Sequence, residues 1–140
     1  MRICVIGAGP CGITAAKNLL DAGLGDLVVF DSGSAIGGGW VFDPEPGHSS
    51  VYETAHAISS KAYSQYCDYP MPASYPDYPG HAELAAYFQG YARQFEVDRF
   101  VRLQTTVQRC QRSADGRWNV ATDAGGERAH VLRTGRSRSG

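Results

Sequence analysis

The sequence predicts an α/β domain of the Rossmann type, and three observations carry that prediction. The apolar run Ile3–Ile6 breaks into GAGPCG, whose glycines at 7, 9 and 12 are spaced G-x-G-x-x-G. A helical pattern follows at once. A second apolar run, Leu27–Phe30, then ends at an acid, Asp31. A strand, a glycine turn opening a helix, and a second strand closing on an acid make a βαβ unit suited to a dinucleotide.

Each element has its own local reason. Ile3–Ile6 is continuously apolar, as a strand buried on both faces of a parallel sheet should be. Pro10 fits the first helical turn, where its missing N–H costs nothing. Ile13, Ala15, Ala16, Leu19 and Leu20 recur at helical spacing up to Ala22, and Gly23 supplies the stop. From Gly33 to Gly80 the periodicity vanishes into a segment rich in Gly, Pro, Ser and Tyr, including DYPMPASYPDYPGH. Its tyrosines argue for an ordered, functional loop, since they supply burial. PDYP within it also matches a P-x-x-P ligand pattern, though inside a folded region.

Helical periodicity returns over 81–95, with Leu84, Phe88, Tyr91 and Phe95 on one stripe. Alternation at Val101, Leu103, Thr105 and Val107 predicts one continuous strand. Asp115-Gly116 predicts a hairpin into Trp118–Thr122, Gly125-Gly126 a second turn, and Arg128–Leu132 a third strand. The chain thus divides into a dinucleotide-binding domain over 1–132 and an irregular basic tail over 133–140, expected to be disordered.

Bulk properties narrow the partners. At 140 residues with a net charge of −1, the chain can bury a core and offers no electrostatic footprint for nucleic acid. No stretch reaches membrane-spanning length, and Ile3–Ile6 is strand-sized rather than a signal sequence. Cys4, Cys11, Cys67 and Cys110 stand apart with no metal-ligand spacing, so no metal site is expected and a reducing, cytoplasmic setting fits best.

The glycines have separate tasks. Gly7 allows the tight turn, Gly9 lets a pyrophosphate approach the backbone, and Gly12 lets the helix pack against the strand. The pyrophosphate would meet the N–H groups and positive dipole end of the helix. Asp31, 19 residues after Gly12, would accept ribose hydroxyls and repel a 2′-phosphate. NAD and FAD both remain open at this point. AIGGGW at 35–40 adds three glycines, which let backbone lie flat on a planar ligand, and Trp40 as an apolar wall.

These segments together resemble the flavin-containing monooxygenases. The likeness rests on GAGPCG, the acid at 31, IGGGW, VY at 51–52, SSK at 59–61 and DYPMPASYPDYPGHAELAAY, and covers most of residues 2–122. It implies the N-terminal part of a two-dinucleotide fold, with FAD held at its pyrophosphate by Gly7, Gly9, Pro10, Cys11 and Gly12. Asp31 would hold the adenosine ribose, while Gly38, Gly39, Trp40 and Ser59 would line the flavin side. It further implies that NADPH reduces the flavin and that O₂ gives a flavin C4a-hydroperoxide. That species would oxygenate a small, soft nitrogen or sulfur nucleophile.

The sequence departs from that pattern at Asp31, where Glu is commoner, and at Ile58, where many members carry Asn. The second G-x-G-x-x-G for NADPH and its F-x-G-x-x-x-H neighbour are also absent, and VLRTGRSRSG stands where the fourth strand of a 3-2-1-4 sheet should end. These features predict an FAD-binding fragment, inactive alone and ended by a shifted reading frame, with Ile3–Ile6 left as an exposed edge that self-associates. The competing readings are a fragment of another NAD- or FAD-dependent oxidoreductase and a non-enzymatic truncated product. No catalytic side chain is assigned. His56 and His81 have no visible triad partner, a local hydrogen bond being the expected role of His56, and Lys61 would face either solvent or an anionic group.

Overall fold

The computed structural model describes residues 2–42 and 51–133, the last eight in backbone alone. Within these residues six strands form one sheet: β1 (Ile3–Ile6), β2 (Leu27–Phe30), β3 (Val101–Arg102), β4 (Val107–Arg112), β5 (Trp118–Thr122) and β6 (Gly125–Arg133). Among the described residues three α-helices accompany them: α1 (Pro10–Asp21), the single-turn α2 (Lys61–Ser64) and α3 (His81–Gln94). The spatial order is β3-β2-β1-β6-β5-β4. Strands β3, β2, β1 and the end of β6 run parallel, while β4, β5 and the start of β6 form an antiparallel meander.

The alternation of side chains along β1 and β2 explains how the layers pack. Ile3, Val5, Leu27 and Val29 meet Ile13 and Ala16 of α1 and Leu84, Phe88, Tyr91 and Ala92 of α3. Cys4, Val28 and Phe30 face the other way, onto Val120 of the meander. Both faces are therefore covered, which is why these runs are apolar throughout.

Three sequence expectations change here. The stretch 101–107 is not one strand. It breaks after Arg102, and Gln104 takes a left-handed φ of 49° where the chain leaves the parallel sheet for the meander. The edge at β1 is not open either. His130–Arg133 of β6 pairs in parallel with Ile3–Ile6, so the fourth strand of the 3-2-1-4 order is present. The self-association expected from a bare β1 loses its basis. The final turn falls on Asp123 and Ala124, with Gly125 already opening β6 at φ 134°. Arg133 closes that strand, and residues 134–140 of the expected tail lie outside the described residues.

The aperiodic segment is ordered by aromatic packing. Tyr66 and Tyr69 stack against Tyr87, Tyr91 and their neighbours on α3, with centroid separations from 4.5 Å. Gly90, in mid-helix, leaves room for the Tyr69 hydroxyl, which would stand 2.6 Å from a Cβ there. Pro79 is buried, so PDYP cannot be offered as an exposed P-x-x-P ligand. No helix among the described residues is long and apolar enough to cross a membrane.

Candidate functional site

The glycine turn joins β1 to α1 with the geometry its spacing predicts. Gly7 has φ 101° and donates its N–H to the Phe30 carbonyl at 2.7 Å. Gly9 caps α1 in extended backbone, without a side-chain cap, and Pro10 holds the first helical position. The first turn carries no acid. Its outward N–H groups and the helix dipole can therefore receive an anion with no competing carboxylate in that turn. Cys11 is exposed at this end, and Gly12 is buried against the sheet.

Asp31 reaches back across the turn. Its Oδ2 accepts the Ala8 N–H at 2.5 Å and its Oδ1 the Gly33 N–H at 2.7 Å. The carboxylate thus holds the end of β2 against the glycine turn. Each oxygen retains acceptor capacity for a further donor such as a ribose hydroxyl.

The IGGGW turn docks on the same place. Gly37 donates to the Ala8 carbonyl at 3.1 Å, and Gln89 of α3 reaches the Ile36 carbonyl at 3.2 Å. Gly38 takes φ 57°, and a Cβ on it would lie 2.8 Å from the Gly9 Cα. The freedom of Gly37 and Gly38 serves this backbone-to-backbone contact, a use that glycine counting alone did not reveal. Gly38, Gly39 and Trp40 form one 3-10 turn.

Two cavities flank the glycine turn. The smaller, about 170 Å³, is lined by Gly7, Asp31, Ser32, Thr105 and Thr106 among others. The larger, about 490 Å³, is lined by Pro10, Trp40, His56, Ser59, Tyr66 and Phe88 among others. Of the residues singled out in the sequence, Gly7 and Asp31 border the first cavity, and Pro10, Trp40 and Ser59 the second. Ile58, fully exposed, also lines the larger cavity.

The remaining polar candidates have local work. His56 Nδ1 pairs with the Thr54 carbonyl at 2.8 Å, the local hydrogen bond expected for a loop histidine. Lys61 faces neither solvent alone nor an anion: its ammonium donates to the carbonyls of Ala73 and Tyr75, at 3.1 and 2.5 Å. Ser59 pairs with Ser64 at 2.7 Å. Sequence reading missed Tyr66, whose hydroxyl donates to the Pro10 carbonyl at 2.9 Å. The only local signal was the density of tyrosines around it.

Comparison with known proteins gives a consistent family. The flavin-binding monooxygenase-like family matches residues 1–133. Flavin-containing monooxygenase 5 of Mus musculus is 36% identical over 132 residues, covering 90% of this chain and 25% of the mouse protein. Flavin-containing monooxygenase 2 of Homo sapiens is 33% identical, covering 90% of this chain and 24% of the human one.

Solved structures agree. S-allyl-L-cysteine S-oxygenase from Allium sativum superposes with a TM-score of 0.83 at 27% identity, covering 94% of this chain and 35% of that one. A steroid monooxygenase bound to NADP gives 0.80 at 26% identity, covering 95% and 25%. The chain spans about a quarter of the length of the curated relatives it matches. On its sequence and its fold together, this chain belongs to the flavin-binding monooxygenase-like family.

Proposed function

We propose that this chain is the FAD-binding part of a flavin-dependent, NADPH-using monooxygenase. The observation that carries the reading is the pair of cavities on either side of the glycine turn. A nucleotide joined through a pyrophosphate to a second, bulky group needs that arrangement. The uncapped, acid-free N-terminus of α1 fits the pyrophosphate. Asp31 fits the adenosine ribose beside the smaller cavity, and Trp40 with Ser59 fits the flavin ring in the larger one. NAD would leave the larger cavity to a much smaller ring, so FAD is favoured.

Gly7, Gly9, Pro10, Cys11 and Gly12 would bind and orient the pyrophosphate, and Gly38 and Gly39 would hold the flavin-side turn against them. Bound FAD would supply the redox and oxygen chemistry. The chain's own residues bind it, orient it and exclude water, with Trp40, Leu84 and Phe88 as the apolar wall. The substrate of the complete enzyme would be a small soft nitrogen or sulfur nucleophile, with NADPH bound by residues outside this chain. Four free cysteines fit a reducing, cytoplasmic setting.

Gel filtration of the full chain after incubation with FAD or with NAD tests the reading. FAD should co-elute near one equivalent, seen by its visible absorbance. Retention of NAD with FAD lost in the void-free fractions would overturn it.

A further inference from the structure

Tyr66 is 56 residues from Pro10 in the chain, yet its hydroxyl donates to the Pro10 carbonyl at 2.9 Å. Thr14 Oγ1 donates to the same oxygen at 2.8 Å. That carbonyl and the Cys11 N–H belong to one peptide plane. Cys11 stands in the first turn of α1, where an N–H has no intrahelical acceptor and points toward whatever sits at the helix end. Hydrogen bonds accepted by a carbonyl polarise its peptide and strengthen the donor on the opposite side.

Tyr66 is itself well fixed. Its ring stands 4.5 Å from that of Tyr91 and 5.9 Å from that of Tyr87, centroid to centroid. Its backbone N–H donates to the Tyr87 hydroxyl at 2.7 Å. Burial pushes the Tyr66 phenol above its ordinary pKa, so the hydroxyl keeps the proton it donates. The same side chain lines the larger cavity.

We propose that Tyr66 is a positioning residue for the pyrophosphate of the bound dinucleotide. Its hydroxyl, together with Thr14, fixes and polarises the Pro10–Cys11 peptide, so that the Cys11 N–H meets the phosphate as a strengthened donor. The proposal rests on the FAD reading above. Tyr66 acts through the peptide and does not touch the phosphate.

The test uses the full chain, Tyr66→Phe, which keeps the ring, and Thr14→Val, which removes the parallel donor. Each is titrated with FAD and with ADP, which carries the adenosine and diphosphate but no flavin. The ¹⁵N-labelled, ligand-free proteins report the Cys11 amide. Tyr66→Phe should weaken FAD and ADP alike, by about threefold to tenfold for one hydrogen bond lost. It should also shift the Cys11 amide resonance before any ligand is added, and Thr14→Val should act in the same direction on both readouts.

Weakening of FAD with ADP unchanged would reduce Tyr66 to a cavity wall and overturn the proposal, as would an unmoved Cys11 amide. Wild-type binding of both nucleotides that Tyr66→Phe leaves intact sinks this proposal alone. A wild-type chain that binds neither removes the FAD reading, and this proposal with it.

Discussion

Gly38 and Gly9 meet backbone to backbone: a Cβ on Gly38 would stand 2.8 Å from the Gly9 Cα, and Gly38 already sits at φ 57°. The turn expected to line the flavin is therefore locked to the turn expected to hold the pyrophosphate. Any side chain at 38 must strain its own backbone and push the phosphate turn aside. Gly38→Ala should cost on the order of 1–3 kcal/mol of stability, read as a lower urea midpoint. FAD affinity should fall with it. Gly23→Ala is the control, since Gly23 has φ 75° but open space around a Cβ. It should lose stability through backbone strain alone and leave FAD affinity unchanged.

Asp31 has a structural task as well as its proposed ligand. Asp31→Ala leaves the Ala8 and Gly33 N–H groups without their acceptor. A loss of about 1–3 kcal/mol is expected from an unsatisfied, partly buried donor. Asp31→Asn should also destabilise, because its amide nitrogen would turn a donor toward one of those two N–H groups. Thermal unfolding of the ligand-free proteins measures both effects. A variant as stable as wild type would mean that the carboxylate does not hold the turn.

Tyr87 joins the aromatic loop to α3 through one hydroxyl. It accepts the Tyr66 N–H at 2.7 Å and donates to the Tyr69 carbonyl. Tyr87→Phe should cost about 2 kcal/mol, since two backbone groups lose a partner. Burial pushes the Tyr87 phenol up to about 12, above its ordinary value of 10.0. Its contribution should therefore be complete below pH 10 and decline as the pH rises toward 12. Tyr87→Phe should flatten that alkaline limb of the stability profile.

Lys17 of α1 bridges Asp21 and Asp68, each at 2.8 Å, and so ties the helix to the aromatic loop. Its hydrogen bond to Asp68 draws that carboxyl below its ordinary pKa, and the two acids raise the lysine above its own. The acid contributes stability that is present above the ordinary carboxylate range, about pH 4, and lost as pH falls below it. The lysine contributes stability that is complete below its ordinary value of 10.5 and lost at higher pH. Asp68→Asn should lower the melting temperature slightly at pH 7 and shrink its fall between pH 5 and pH 3. An unchanged acid limb would count against the bridge.

What was legible in the sequence was local. β1 and β2 have the expected bounds, and α1 stops at Asp21, one residue short of the expected Ala22, because a buried strand, a glycine turn and a helix stop are each written in a few adjacent residues. The break at Gln104 was hidden because the alternation of Val101, Leu103, Thr105 and Val107 continues through it. Only the need to pass from the parallel sheet to the meander interrupts the strand. The fourth strand was missed because its evidence is the pairing of Val131 with Cys4, a contact between opposite ends of the domain. Tyr66 was missed for the same reason: its partner Pro10 lies on another element. The glycines of IGGGW were recognised, but their packing against Gly9 needs three dimensions to be seen.

The central claim is that a flavin dinucleotide lies across the glycine turn with its ring against Trp40. Trp118, in the meander, is the only other tryptophan. Titration of Trp118→Phe with FAD, following Trp40 emission, addresses the claim directly. FAD should quench Trp40 saturably near one equivalent, while ADP should compete for the site without quenching by itself. Saturable NAD binding with no response of Trp40 to FAD would contradict it.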